Sequence, residues 1–175
     1  MQSRDLLLTA YDNVEESVRG ALDGIDPALL TARVDPEANT IAWLVWHLTR
    51  VQDDHVSEVA GTEQAYTENG WADRFALPFA TRAHGYGMSA DDVGKTDISD
   101  PQLLVEYHAD VHARTAAFLR TLTDQDLDRV VDRRWNPPVT LGVRLLSVIG
   151  DDLQHAGQAA LLRGVLERRT VATRA

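Results

Sequence analysis

Apolar residues recur every three or four positions in four long stretches of the chain, which is the pattern of amphipathic helices. The first stretch runs from residue 3 to about residue 23, and Ser3 is its expected N-cap. The second begins after Thr40, whose hydroxyl is a preferred cap, and ends at Gly61. Both stretches have the length of ordinary globular helices, so we assign them as helices one and two.

Two further helices follow in the second half of the chain. Asp100 is the expected N-cap of helix three, because Pro101 fits the first helical turn, where no intrahelical N–H bond is lost. Helix four is capped by Thr140 and is predicted to end near Val165. A basic C-terminal tail, residues 167–175, follows the bundle of residues 1–166.

The connection between helices two and three is unusually long. Residues 62–99 break the helical period and are rich in glycine and aromatic residues. Because a free connection of this length is uncommon inside a compact domain, we expect a packed crossover that covers part of the bundle. No segment alternates at period two. The chain is therefore predicted to be all-α, a four-helix bundle with one long crossover.

The composition narrows the classes of partner. The 175 residues include 27 acidic and 17 basic side chains, giving a formal charge of −10. This charge repels a phosphate backbone and an anionic membrane surface, so we expect no nucleic-acid and no membrane partner. No apolar run approaches bilayer length and no secretion signal is visible, which predicts a cytoplasmic protein. Since the chain has no cysteine, any metal must be held by His, Asp or Glu.

Polar residues interrupt the apolar stripe of helix four. His155 falls in the middle of the stripe, and Asp151 lies one turn earlier on nearly the same face. Residues at i and i+4 are neighbours, so the two heads could chelate one ion, with His47 of helix two as a third ligand. A hydrogen-bonded pair is the commoner explanation of such a pair. Spacing alone does not decide between Asp151 and Asp152, because both lie near the core face.

Other histidines have weaker claims. His55 lies on the stripe of helix two and is interpreted as a core histidine or as a group supporting the ligands. His108 and His112 on helix three also have chelating spacing. However, His112 lies toward the boundary of the helix face and no carboxylate accompanies the pair, so His108 is better explained as an acid, base or substrate contact.

Two arginine pairs, Arg133-Arg134 and Arg168-Arg169, are candidates for holding an anionic ligand. Solvated charge is the commoner explanation of such pairs. No glycine-rich phosphate loop and no nucleophile elbow are present, so neither nucleotide binding nor serine hydrolysis is indicated.

The back of helix four suggests a close neighbour. Glycine weakens a helix interior, so a series of glycines predicts that another backbone approaches there. The neighbour would be helix one, the crossover, or the same helix of a second subunit in a homodimer. The residues in this series are Leu146, Gly150, Leu153, Gly157, Leu161 and Gly164.

Four segments carry a resemblance to a known family: residues 40–55 (TIAWLVWHLTRVQDDH), 70–75 (GWADRF), 138–144 (PVTLGVR) and 151–158 (DDLQHAGQ). The chain resembles the DinB/YfiT-like superfamily of four-helix metalloenzymes, and more narrowly its actinobacterial branch of mycothiol-dependent enzymes. The resemblance implies an up-down-down-up bundle. It also implies a divalent metal, zinc or nickel, held by His47, Asp151 and His155.

One ligand departs from the family pattern. Many members carry three histidines, and the mycothiol-dependent isomerases carry glutamate where this chain has Asp151. Aspartate is shorter by one methylene, so it would need a shifted helix, bind the ion more weakly or act through water. Asp152, His55 and His108 are candidates for supporting positions around the site.

The resemblance also implies the chemistry. A metal with open positions would activate a low-molecular-weight thiol, with mycothiol as cosubstrate, for attack on a small electrophile. Conjugation ranks above thiol-assisted isomerisation. The alternatives are a non-catalytic metal- or ligand-binding stress protein and a metal-dependent hydrolase. Trp71, Tyr86 and Trp135 are candidates to wall the substrate pocket, or else anchors of the loops that carry them.

Overall fold

The computed structural model describes residues 2–174, and the side chains of residues 2–172. Its long helices are α1 (Ser3–Leu22), α2 (Ile41–Ala60), α6 (Pro101–Thr121) and α7 (Leu141–Arg174). The crossover carries the short helices α3 (Ala65–Glu68), α4 (Trp71–Phe75) and α5 (Ala90–Gly94). Two 3₁₀ turns, Pro27–Leu29 and Asp124–Asp128, and two strands, β1 (Val130–Asp132) and β2 (Val139–Thr140), complete the described chain. The predicted all-α class is confirmed.

Contacts between the long helices fix their directions. Helix α1 runs parallel to α7 and antiparallel to α6, whereas α2 runs antiparallel to α7 and parallel to α6. The bundle is thus up-down-down-up, and the crossover carries the chain back to the end of the bundle where α2 started. The contacts are Tyr11 with Leu145, Ala21 with Arg163, Arg4 with Leu122, Asp12 with His112, His47 with His155, His55 with Arg144, Thr49 with His108, and Gln52 with Thr115.

Most helix starts follow the predicted caps. The hydroxyl of Thr40 accepts the hydrogen bond of a backbone N–H in the first turn of α2, and the carboxylate of Asp100 does the same for α6. The prediction for α1 is wrong by one residue. Gln2, not Ser3, is the N-cap, because Gln2 and Asp5 bond reciprocally across the first turn.

The last helix is longer than predicted. Helix α7 does not end near Val165 but continues to Arg174. Leu166 is buried in the core, and both Arg163 and Arg169 donate hydrogen bonds to backbone carbonyls at and beyond the end of α1. These contacts stabilise the last turns of α7, which the pattern of apolar residues alone does not predict.

Two features of the second half differ from the sequence prediction. No strand was expected, yet β1 and β2 pair antiparallel, with Val130 opposite Thr140. Strands of two and three residues are too short for an alternating pattern to stand out. On the back of α7, no described atom lies within 4 Å of a Cβ added at Gly150 or Gly157. Neither helix one nor the crossover packs there, and the second-subunit alternative stays a prediction.

No helix in the described part of the chain is both long and apolar enough to cross a bilayer.

A buried arginine on α2 holds the crossover in place. Arg50 has no solvent-exposed surface, and its guanidinium donates hydrogen bonds to the carbonyls of Thr81 (3.3 Å) and Ala83 (3.2 Å). It also donates to the side chain of Gln64 at 2.8 Å and lies 4.1 Å above the ring of Tyr66. Arg50 therefore binds both the beginning of the crossover, at residues 64–66, and its middle, at residues 81–83.

Asp53, the counter-ion of Arg50, also binds the crossover. Asp53 is buried, lies 3.4 Å from Arg50, and accepts hydrogen bonds from the backbone N–H groups of Ala65 and Tyr66, each at 2.9 Å. The hydroxyl of Tyr107 on α6 donates to the same carboxylate at 2.9 Å. A buried ion pair is tolerated when its hydrogen bonds are satisfied, as they are here.

We expect Arg50→Leu to lower the free energy of unfolding by about 3–5 kcal/mol, because it leaves Asp53 as a buried charge without its cation. The measurement is urea unfolding followed by circular dichroism. Arg74→Leu is the matched control: Arg74 also stacks on an aromatic ring and pairs with a carboxylate, but in solvent, so its loss should cost little. Equal destabilisation by both variants would contradict the assignment.

Candidate metal centre

Three of the predicted ligands meet between α2 and α7. His47, Asp151 and His155 each offer a ligand atom, and these atoms lie within 4.8 Å of one another. The two imidazole rings are 4.9 Å apart at their centroids, and His155 Nε2 lies 3.7 Å from Asp151 Oδ1. Because α7 supplies a pair at i and i+4 and α2 faces it, the three side chains converge on one point.

Both histidines have their tautomers set by the groups around them. His47 Nδ1 lies within hydrogen-bond distance of the carbonyl oxygen of His84, and a carbonyl can only accept, so Nδ1 carries the proton. His155 Nδ1 donates in the same way to Gln158 Oε1 at 2.9 Å. In each ring the Nε2 lone pair is left for a cation, the arrangement usual for metal-binding histidines.

Tight packing keeps the histidines in place. The indole of Trp43 stacks on His47 with ring centroids 4.6 Å apart, and its edge meets His155. Burial lowers the pKa of His47, an effect that the hydrogen bond to His84 partly opposes. His47 is therefore neutral at neutral pH, which is the protonation state that binds a metal.

The residues present fit a divalent cation. Asp151 Oδ2 is buried and has no hydrogen-bond partner among the described residues. A buried carboxylate oxygen without a partner is costly, and a cation among the three side chains would satisfy it. Two imidazole nitrogens and one carboxylate oxygen form a donor set suited to zinc or nickel and leave coordination positions open.

The neighbouring acid has a different environment. Asp152 is fully buried, and neither of its carboxylate oxygens has a partner among the described residues. Burial, followed by the charge of Asp151, raises the pKa of Asp152 well above its usual value, which favours the protonated form of this side chain. The structure thus brings Asp151, not Asp152, to the two histidines.

The other predicted histidines lie outside this cluster. His55, about two turns along α2 from His47, has its Nδ1 2.7 Å from Arg144 Nη1. His108 is buried between α2 and α6, and its Nδ1 bonds to the hydroxyl of Thr49 at 3.0 Å. Neither side chain supports the three ligands directly.

A cavity of 570 Å³ is lined by two of the three candidate ligands, His47 and Asp151. Tyr86, one of the predicted substrate-pocket residues, is among its lining residues. Trp71 is not, because it is buried in the crossover, where its Nε1 donates to Asp110 at 2.7 Å; it is an anchor. Trp135 is exposed on the turn between β1 and β2 and is not among the lining residues. The full lining is His47, Val51, His55, His84, Tyr86, Arg134, Ser147, Val148 and Asp151.

Sequence reasoning missed the backbone contact that orients His47. Gly85 has a φ of +98°, and a Cβ added there would lie 2.5 Å from His47 Nδ1. Only glycine lets this loop approach the ring and place the His84 carbonyl against it. The glycines Gly85 and Gly87 were the signal in the sequence. The hydrogen-bond acceptor itself is a backbone carbonyl, which every residue has, so the sequence does not identify it.

Comparisons with known proteins found a matching family and a similar solved structure. The family described as mycothiol-S-transferase matches residues 6–168. A solved structure described as a conserved protein of locus from Enterococcus faecalis is similar, with a TM-score of 0.87 and 28% sequence identity. That similarity covers 93% of this chain and 96% of the other. No curated protein sequence matches.

We expect Gly85→Ala to weaken zinc binding by about 10–100-fold, because the new methyl group displaces the ring of His47. A competition titration against a chromophoric chelator measures the affinity. Gly87→Ala is the matched control: it also sits at positive φ, +73°, but its Cβ meets no described atom within 4 Å. Similar losses in both variants would indicate backbone strain and contradict a specific contact with His47.

A second prediction concerns the buried histidine. Burial lowers the pKa of His108 to about 3, so it stays neutral in the folded protein while the unfolded chain takes up a proton below the ordinary value of 6.5. Stability should therefore fall as the pH drops from 6.5 toward 3, at about 1.4 kcal/mol per pH unit from this residue.

The measurement is urea unfolding of the metal-free protein at several pH values, compared with His108→Gln. The variant should lose stability less steeply with acidification. Parallel slopes for the two proteins would refute the buried neutral state of His108.

Proposed function

Because the chain belongs to the mycothiol-S-transferase family, we propose that it transfers a low-molecular-weight thiol, mycothiol, to a small electrophile. The reaction would take place at a divalent ion, zinc or nickel, held by His47, Asp151 and His155. One observation carries the proposal: three candidate ligand atoms lie within 4.8 Å of one another, and two of their residues, His47 and Asp151, line a cavity large enough for a small substrate. We place the reaction in the cytoplasm.

The chain's own residues bind and orient. The His84 carbonyl and Gln158 hold the two imidazoles with their Nε2 lone pairs unprotonated. Asp151 supplies one negative charge, so the ligand set leaves a divalent ion with net positive charge. Such an ion, when bound, lowers the pKa of a coordinated thiol and favours its thiolate.

The nucleophile must come from the cosubstrate, because the chain has no cysteine. In conjugation a sulfur–carbon bond forms and the leaving group departs with its bonding electron pair. The thiol proton passes to solvent. The partly exposed Asp151, 39% for its side chain, lies on the open side of the cluster, where a thiol would enter.

The aspartate is proposed to bind directly despite its shorter side chain. Its carboxylate belongs to the set of ligand atoms within 4.8 Å, and its Oδ2 has no other partner among the described residues. The rings of His47 and His155 lie 4.9 Å apart at their centroids, so α7 and α2 are close at this level, as a shorter carboxylate ligand requires.

Elemental analysis of protein purified without chelators tests the site. We expect about one equivalent of zinc or nickel per chain, lost in both His47→Ala and His155→Ala because two ligands hold a divalent ion poorly. His112→Ala is the control, since that histidine pairs with Asp12 away from the cluster. Metal retained in both ligand variants would refute the assignment.

Turnover is then measured with mycothiol and an aromatic electrophile. The wild type and His112→Ala should form the conjugate, and the ligand variants should lose at least 100-fold in rate, on the order expected when a metal is removed. Turnover that persists without thiol would identify a hydrolase instead. Bound metal without any turnover would favour the binding-protein alternative.

A further inference from the structure

The cavity beside the metal centre has two chemically different ends. His47 and Asp151 line one end, and His55 and Arg134 line the other. Asp151 is the only carboxylate among its described lining residues, and it belongs to the cluster of metal ligands. The far end therefore presents the hydrogen-bond donors of His55 and Arg134. Two acids, Asp54 and Glu58, lie behind them in an adjoining cavity that shares His55 and Arg134, and Arg144 pairs with Glu58 at 3.5 Å.

The first donor is held by the hairpin of β1 and β2. Asp132 at the end of β1 is buried, and it accepts hydrogen bonds from the backbone N–H of Arg134 at 2.9 Å and from its Nε and Nη2 at 3.0 and 2.8 Å. These bonds keep the pKa of Asp132 well below its usual range, so the clamp stays charged. Asp132 takes one edge of the guanidinium, and the Nη1 donors remain available to a second anion.

The second donor is set by the same carboxylate. Asp132 also accepts a hydrogen bond from Arg144 Nη2 at 3.3 Å, and Arg144 Nη1 donates to His55 Nδ1 at 2.7 Å. A guanidinium has no lone pair to offer, so Nδ1 of His55 accepts and the ring carries its proton on Nε2. His55 is thereby kept neutral, as an N–H donor in the cavity wall.

The separation of the two ends sets the size of a ligand. His47 and His55 lie eight positions apart on α2, which corresponds to about 12 Å along the helix axis. Consider a small aromatic electrophile whose reacting carbon meets the thiol at the ligand cluster. A substituent on the opposite side of its ring would then reach the far end of the cavity. Arginine and a neutral imidazole N–H are donors that suit a carboxylate there.

We propose that the far end of this cavity binds the carboxylate of the electrophile, with Arg134 as the specificity-determining residue and His55 as a second donor. The substrate class is then a small, carboxylate-bearing electrophile. The inference rests on the proposed function for the reaction at the ligand cluster, but the carboxylate site itself makes a separate prediction about binding.

Kinetics with two matched electrophiles test the proposal. The probes are a chloronitrobenzoate and the corresponding chloronitrobenzamide, in which chloride leaves from the carbon opposite the carboxylate or carboxamide. With zinc-loaded protein and mycothiol, Arg134→Gln should raise KM for the benzoate about tenfold with little change in kcat, and should leave the benzamide unaffected. Arg133→Gln, the matched control, removes an exposed neighbouring charge outside the lining and should change neither.

Binding without chemistry separates this inference from the proposed function. Nitrobenzoate and nitrobenzamide lack the leaving group, and their dissociation constants can be measured by NMR titration. Arg134→Gln should weaken nitrobenzoate binding about tenfold, and His55→Leu should weaken it in the same direction. If conjugation fails but this difference is found, the proposed reaction is wrong and the carboxylate site stands. No nitrobenzoate binding to the wild type, or equal effects of Arg134→Gln on both probes, would overturn the site.

Discussion

The candidate metal centre depends on the hydrogen bonds that the buried guanidinium of Arg50 makes to the crossover. The guanidinium donates to the carbonyl of Ala83, and the carbonyl of the next residue, His84, accepts the N–H of His47. Arg50 and His47 are one turn apart on α2. One turn of α2 therefore binds two consecutive residues of the crossover. Arg50, a member of the buried ion pair, binds Ala83, and the candidate metal ligand His47 binds His84.

This constraint explains how a long connection with only three short helices can position the side chains of the candidate site. A free loop of this length would lose much conformational entropy on ordering. Here the loss is offset by the hydrogen bonds that Arg50 and Asp53 make to backbone groups and by the aromatic cluster around Tyr107. These contacts hold the loop against α2, so that the His84 backbone carbonyl can accept the hydrogen bond of His47.

Asp151 and Asp152 show how one helical step separates two roles. Successive residues point about 100° apart around a helix. That rotation leaves Asp151 at the edge of the cavity beside two histidines, whereas Asp152 enters the core, where burial and the charge of its neighbour favour the protonated form. The same residue type is a candidate metal ligand in one place and a buried core residue in the other.

The sequence by itself determined the four long helices, most of their caps and the packed crossover, and the family resemblance added His47, Asp151 and His155 as predicted ligands. The helices and caps follow from local periodicity and cap chemistry, which a linear pattern records. The ligand set rests on the family resemblance, because spacing alone left Asp151 and Asp152 as alternatives. Only the tertiary structure decided the length of α7, the hairpin, the choice of Asp151 on geometric grounds, and the partners Gly85, Gln158 and Asp132. Those depend on backbone carbonyls and on contacts between residues far apart in the chain, and neither leaves a periodic or compositional signal in the sequence.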